Sequence, residues 1–195
     1  MPYVVNASGS ESRTVSKDFD PNITSDLLRQ LVGTRPFSKE GRVNIPKRLR
    51  VGRPARGGIP HILGWFHGPW IVSSRVHDII EDLEPGVQEF VPIALVSKDG
   101  KRELATYFLV LLPPQLDAII SEETEFDTPD SLRPRGRCVL KADVIRGRHF
   151  WRGVHPLGLT YFASDELHDR LTAEKLDGWD LRHRCTVRPS EAIPV

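Results

Sequence analysis

Histidine and cysteine are the residues of this chain best suited to metal or acid–base chemistry, and neither shows a recognisable spacing. The histidines are His61, His67, His77, His149, His155, His168 and His183. A zinc site needs three or four convergent ligands, which this spacing does not supply. The sequence also lacks glycine-rich phosphate loops, a G-x-S-x-G elbow and an H-E-x-x-H helix. We therefore predict no cofactor, no metal and no catalytic residues, while an enzyme whose site assembles from scattered polar residues stays open.

A run of cationic, imidazole and aromatic side chains, Arg-His-Phe-Trp-Arg, occupies residues 148–152. Alternation on a strand would put His149 and Trp151 on one face. Phe150 and Arg152 would then lie on the other face. The run therefore predicts a packed strand with polar edges rather than a catalytic centre.

A basic stretch at residues 42–56 contains six positive charges and no acid. Its members are Arg42, Lys47, Arg48, Arg50, Arg53 and Arg56. Glycine and proline interleave these cations, without aromatic residues. The stretch could hold phosphate groups, so a nucleic-acid-binding module is one alternative function. A solvated loop is the favoured interpretation.

An acidic stretch at residues 122–130 contains five acids and no base. Its members are Glu122, Glu123, Glu125, Asp127 and Asp130. The stretch could be a docking surface for a basic partner, with its charge raising the association rate and salt weakening it. A solvated loop is the alternative. These five acids are the candidate partner-binding residues of the chain.

A pattern of apolar run, serine, helix, glycine and strand occurs twice in the chain. The copies are IVSSRVHDIIEDLEPGVQEF at 71–90 and YFASDELHDRLTAEKLDGWDL at 161–181. Aligning Ser73 with Ser164 also aligns the His-Asp pair of each copy. Each serine can cap a helix, and each glycine suits a helix exit with positive φ. The pattern predicts two similar structural units.

The two aligned pairs are His77-Asp78 and His168-Asp169. They lie away from the apolar positions of their helices, so we interpret them as solvated helix faces. Residues adjacent in sequence do not face each other on a helix, so neither pair is expected to form a dyad.

A β-hairpin is predicted within residues 87–113. Two apolar runs flank Asp99-Gly100 there, and Asp-Gly between such runs is a strong hairpin signal. The second run is apolar throughout residues 107–112 and predicts a central strand covered on both faces.

The elements together indicate an α+β fold. We expect a largely antiparallel sheet with a few helices packed on it, containing the two similar strand-Ser-helix-Gly-strand units. This domain is assigned to residues 61–195. Residues 1–60 are expected to be a poorly defined N-terminal segment packed on it, with a short helix at 26–32.

The composition is typical of a soluble globular protein, with 39% hydrophobic and 27% charged residues and a net charge of +1. This balance indicates neither a nucleic-acid nor a membrane partner. No apolar run approaches the roughly 20 residues of a membrane span, and the N-terminus lacks signal-peptide features. Cys138 and Cys185 are predicted to be buried free thiols. We expect a cytoplasmic protein. The sequence does not specify its oligomeric state.

The sequence resembles the bacterial "immunity protein eleven" family over roughly residues 60–187. The first block of family motifs is matched by Val72-Ser73, Leu83-Glu84-Pro85-Gly86 and Gln88-Glu89-Phe90-Val91-Pro92. The second block is matched by Phe150-Trp151-Arg152, Ser164-Asp165-Glu166-Leu167 and Gly178-Trp179-Asp180-Leu181. The basic Arg/Gly/Pro stretch at 42–58 departs from the family pattern.

The resemblance implies a role rather than a reaction. Proteins of this kind are encoded beside secreted polymorphic toxins and bind the cognate toxin, which blocks it in the producing cell or its siblings. The resemblance supplies no catalytic residue. The leading hypothesis is therefore a toxin-neutralising protein whose partner is a toxin domain, for example a basic nuclease that contacts the acidic stretch.

Overall fold

The computed structural model describes residues 1–7, 45–51, 58–64, 70–111, 113–126, 134–154 and 160–189. The first half of this part contains β1 (Tyr3–Ala7), β2 (Arg48–Arg50), β3 (Ile62–Gly64), β4 (Trp70–Ser73), α1 (Ser74–Leu83), β5 (Glu89–Val96) and β6 (Glu103–Leu111). The second half contains β7 (Gln115–Leu116), a 3-10 turn (Ser121–Glu123), β8 (Val139–Lys141), β9 (Phe150–Gly153), β10 (Tyr161–Ala163), α2 (Asp165–Ala173), β11 (Trp179–Arg184) and β12 (Thr186–Arg188).

The described strands form three sheets, whereas one sheet was expected from the sequence. One five-stranded sheet has the order β2-β5-β6-β4-β3, the other has the order β11-β1-β10-β9-β7, and β12 pairs with β8 alone. The antiparallel pairs outnumber the parallel ones, which are β2 with β5, β7 with β9 and β8 with β12. The predicted α+β class is confirmed.

The predicted hairpin is formed by β5 and β6. Gly100 has φ +74°, which a residue with a side chain rarely adopts, and its amide donates to the Ser97 carbonyl at 2.7 Å. Strand β6 is the middle strand of its sheet. Leu109 packs in one core cluster and Val110 in another, so the strand is covered on both faces as predicted.

The two repeated segments fold into units of the same topology. The order β5-β6-β4-β3 of the first unit matches β11-β1-β10-β9 of the second, and every neighbouring pair in both is antiparallel. Strand β1, at the N-terminal end of the chain, occupies in the second unit the position that β6 occupies in the first. The other three strands of the second unit come from the C-terminal part of the chain.

The equivalence of the units extends to their hydrogen bonds. Strand β2 runs parallel to the end of β5, and β8 runs parallel to β12, which continues β11. The amide of Ala94 donates to the Lys47 carbonyl at 2.9 Å, and the amide of Thr186 donates to the Cys138 carbonyl at 2.8 Å. Strand β8 is therefore the counterpart of β2.

Each helix begins with the serine cap that the sequence predicted, but α2 ends differently from the prediction: Lys175 (φ +56°), rather than Gly178, is the left-handed residue that follows its C-cap. Ser73 and Ser164 cap the helices by accepting from the amides of Val76 and Leu167, at 3.5 and 3.1 Å. Two ion pairs join the helices. The Arg75 guanidinium (Nη2), at the start of α1, binds Glu174 after α2 at 2.9 Å, and Arg170, in the last turn of α2, binds Asp82 near the end of α1.

One hydrophobic cluster joins the two units. It lies between the helices and the sheets and includes Val76, Ile80, Leu167, Leu171 and Phe150. Each five-stranded sheet has a second cluster on its other face. Because the first cluster draws on both units, the two halves share a core.

Residues before 60 contribute two of the described strands, β1 and β2. The helix expected at 26–32 lies outside the described residues. The assignment of residues 61–195 as a separate domain stays a prediction.

We predict unequal costs for alanine at the two positive-φ glycines, Gly86 and Gly178, that follow the helices. Gly178 has φ +94°, and a Cβ there would overlap the carbonyl of Ile62, whereas Gly86 has φ +67° and open space around it. Gly86→Ala should cost only the left-handed strain, about 1–2 kcal/mol. Gly178→Ala adds backbone displacement and should cost more than about 3 kcal/mol. Urea denaturation of both variants measures the difference, and equal costs would contradict the prediction.

Candidate partner-binding surface

The two His-Asp pairs are hydrogen bonded, so the sequence-based prediction for them is wrong. The Nδ1 atom of His77 lies 2.9 Å from the Asp78 carboxylate, and that of His168 lies 2.7 Å from Asp169. The rings are also largely covered, with 24% and 18% of their side chains exposed.

The reason for this burial is an aromatic side chain from a neighbouring strand. His77 stacks on Phe108 of β6 at 4.3 Å between ring centroids, and His168 stacks on Tyr3 of β1 at 4.5 Å. These aromatic residues occupy equivalent strands, so the two stacks are equivalent contacts. The helix pattern alone does not reveal them because the strands are distant in the sequence.

A second pair of equivalent contacts links a histidine just before β3 or β9 to the serine that caps α1 or α2. His61 Nδ1 lies 2.9 Å from the Ser73 hydroxyl, and His149 Nδ1 lies 2.9 Å from the Ser164 hydroxyl. Both hydroxyls also cap helices. Because the same Ser–His contact appears in both units, we assign it to the scaffold rather than to a catalytic site.

The described part of the acidic stretch contains Glu122, Glu123 and Glu125, while Asp127 and Asp130 lie outside the described residues. The Glu123 carboxylate binds Arg137 at 3.0 Å and Arg188 at 3.1 Å. Two guanidinium groups thus neutralise this acid, and sequence reasoning missed them because both lie outside the acidic stretch.

The remaining acids of the stretch are held differently. Glu125 exchanges backbone hydrogen bonds with Arg135 and Arg137, and its carboxylate lies near the Arg137 amide at 3.4 Å. The buried Thr124 hydroxyl accepts from the Val139 amide at 3.1 Å, which ties the stretch to β8. Glu122 is exposed and has no ion-pair partner within the described ranges.

The described part of the basic stretch lies on and beside β2. Lys47, Arg48 and Arg50 are exposed, while Arg42, Arg53 and Arg56 lie outside the described residues. The Arg48 guanidinium donates to the Gly100 carbonyl at 3.1 Å, which brings the stretch to the β5–β6 hairpin.

The hairpin adds cations that the sequence did not associate with this surface. Lys98, Lys101 and Arg102 are all exposed. Asp99 lies among them, and hydrogen bonds from the Ser97 hydroxyl and the Lys101 amide lower the pKa of its carboxyl. This end of the sheet carries an excess of positive charge, because its exposed cations outnumber its exposed acids: Lys47, Arg48, Arg50, Lys98, Lys101 and Arg102 against Asp99 and Glu103.

Other reactive side chains of the described chain are buried in the core. Cys138 and Cys185 are buried free thiols as predicted. The pKa of Cys185 is raised, mainly by its hydrogen bond with Cys138 and secondly by its burial. Trp151 and Phe150 pack in different core clusters, as alternation predicted, and burial lowers the pKa of Arg152. Across the described ranges, no cluster of three or more His, Cys, Asp or Glu could hold a metal ion.

Comparison with known proteins assigns the chain to a family. The sequence model of the immunity protein family (Imm11) matches residues 8–185, most of the chain. The chain therefore belongs to this family, and the resemblance noted from the sequence is confirmed. A search of curated proteins gave no match. Among the described residues, no helix is long and apolar enough to cross a membrane.

Proposed function

We propose that this protein neutralises a cognate bacterial toxin by stoichiometric association, as the immunity partner in a polymorphic toxin system. The observation that carries the proposal is the family match over residues 8–185. The protein acts in the cytoplasm and catalyses no reaction. A contact of ordinary size, about 800 Å² on each partner, suffices to cover an active site.

The acidic stretch is the proposed contact with a basic toxin domain, such as a nuclease. Glu122, Glu125, Asp127 and Asp130 approach the toxin, while Glu123 holds the stretch in place through Arg137 and Arg188. Exposed carboxylates accelerate association with a cationic partner, and salt weakens this effect.

Co-expression tests the proposed function. The C-terminal domain encoded by the neighbouring large reading frame is expressed with and without this protein, and growth is measured. We expect restored growth and a complex of one to one stoichiometry on co-purification. An intact neighbouring toxin that kills in the presence of this protein, with no complex, would refute neutralisation.

Charge reversal tests the contact separately from the function. Glu122→Lys should weaken toxin binding on the order of tenfold at low salt and flatten the salt dependence, because it replaces attraction by repulsion. Asp180→Lys on β11 makes the same charge change at another exposed position and should leave affinity unchanged. Calorimetric titration of both variants compares them, and equal affinities would remove the acidic stretch from the interface.

A further inference from the structure

The outer side of β8 in the second unit is covered by an extended segment of the same chain. The amide of Lys141 donates to the Ala118 carbonyl at 2.8 Å, and the amide of Ile120 donates to the Val139 carbonyl at 2.9 Å. Ile119 lies opposite Leu140 in antiparallel orientation. Residues 118–120 therefore continue the sheet by one short strand.

The outer side of β2, the counterpart of β8, carries no such strand within the described residues. On its inner side, the Lys47 carbonyl and the Val51 amide bind β5, in the positions of the Cys138 carbonyl and the Ala142 amide of the second unit. Alternation then turns the Arg48 carbonyl and the Arg50 amide outward. They correspond to the carbonyl of Val139 and the amide of Lys141, which bind the covering segment.

The charges around the two edges indicate the chemistry of the missing strand. In the second unit, the Lys141 ammonium binds the carboxylate of Asp117, on the covering segment, at 3.3 Å. Arg50 takes the place of Lys141 in the first unit, and the exposed hairpin cations lie beyond it. Lys47 adds positive charge at the other end of β2. The carboxylates of an acidic segment could therefore form ion pairs at both ends of this edge.

We propose that the outer edge of β2 binds an extended acidic segment of a partner protein, which pairs antiparallel with Arg48–Arg50 and adds a strand to the sheet. Main-chain hydrogen bonds provide affinity in this mode, and the flanking cations select acidic sequences. The edge offers alternating amide and carbonyl groups at strand spacing, which a nucleic-acid backbone does not match. The proposal goes beyond toxin neutralisation and does not depend on it.

A peptide copy of the chain's own covering segment, residues 115–123 (QLDAIISEE), is the probe for this edge. Fluorescence anisotropy with the full chain should show saturable binding that weakens with salt. N-methylation at the position of Ile120 removes the N–H that would donate to Arg48 and should weaken binding at least about tenfold. N-methylation at Ile119, whose N–H points away from the edge, should have little effect.

Two protein variants separate the backbone contribution from the charge. Arg50→Pro removes the charge together with the outward amide, a loss that an edge strand tolerates, and should abolish peptide binding. Arg50→Gln keeps the amide and removes the charge, so it should bind the peptide with intermediate affinity. Thermal melting of both variants verifies that they are folded.

Several results would overturn the proposal. The first is the absence of saturable peptide binding to the native chain. The second is equal binding of the two N-methylated peptides, because main-chain pairing requires them to differ. The third is binding of a single-stranded or duplex oligonucleotide that Arg50→Pro and Arg50→Gln weaken equally, since loss of the charge alone would then account for the effect and would assign the edge to phosphate recognition.

Discussion

A chain that lacks residues 1–7 is expected to lose cooperative folding. These residues contain β1, which lies between β11 and β10 and pairs with both. Val4 and Val5 are 4% and 0% exposed and belong to two different core clusters. Burial of each valine contributes about 1.5–3 kcal/mol, and each buried backbone group left without a partner costs about 1–3 kcal/mol. The total loss is comparable to the whole stability of a domain, about 5–15 kcal/mol.

Far-ultraviolet circular dichroism and urea denaturation of the shortened chain measure this loss. A cooperative transition at the midpoint of the full chain would contradict the prediction. The family match begins at residue 8, so the experiment also asks whether the family's matched region folds without the strand that precedes it.

Relocation of the deleted strand provides the matched control. In the first unit β6 follows β5 through a short hairpin, whereas in the second unit β1 fills the place of β6 from the other end of the chain. Residues 1–7 appended after Val195 would therefore follow β12 in the chain order in which β6 follows β5. We expect the rearranged chain to regain a cooperative transition. A scrambled seven-residue extension should not restore it.

The elements that the sequence predicted correctly depend on local signals. Asp99-Gly100 specifies a tight turn between any two strands, and the serines before α1 and α2 cap helices through bonds to amides three residues ahead. Gly86 and Gly178 both adopt positive φ, although the left-handed residue directly after the C-cap of α2 is Lys175 rather than Gly178. Such features require no knowledge of distant residues.

The features that the sequence did not reveal involve distant partners. Tyr3 and Phe108 stack on the histidines of two helices, but nothing near either helix indicates which strand will lie beside it. Likewise, Glu123 belongs to a run of acids in sequence, yet Arg188 lies beside it in the fold. Charge runs read along the chain therefore overestimate the net charge of a surface when the fold brings in the opposite charge.

The internal repeat helps to separate scaffold from function. The Ser–His and His–Asp contacts occur in both units, so they are explained by the architecture that the units share. The acidic stretch and the cation-rich hairpin each occur once. Polar residues without an equivalent in the other unit are therefore the better candidates for recognising a partner.

Replacement of Glu84 by alanine is expected to destabilise the protein by about 2–4 kcal/mol. Glu84 is only 3% exposed, follows α1 and accepts a hydrogen bond from the Phe150 amide at 2.9 Å. The substitution leaves this buried amide without an acceptor and removes the carboxylate near Arg148, whose guanidinium lies 3.7 Å away. Arg148 is partly exposed and can hydrate, which limits the electrostatic part of the cost.

The second unit contains the counterpart of this contact in a solvated setting. Asp177, in the loop after α2, accepts from the His61 amide at 3.0 Å, and its residue is exposed. In each unit, a carboxylate after the helix thus binds an amide at the start of the other unit's strand. Water can replace the Asp177 carboxylate but not that of Glu84, so Asp177→Ala should cost only about 0.5–1 kcal/mol. Chemical denaturation of both alanine variants at neutral pH measures the two losses in the free energy of unfolding. Equal costs would mean that burial of Glu84 does not determine the strength of its contact.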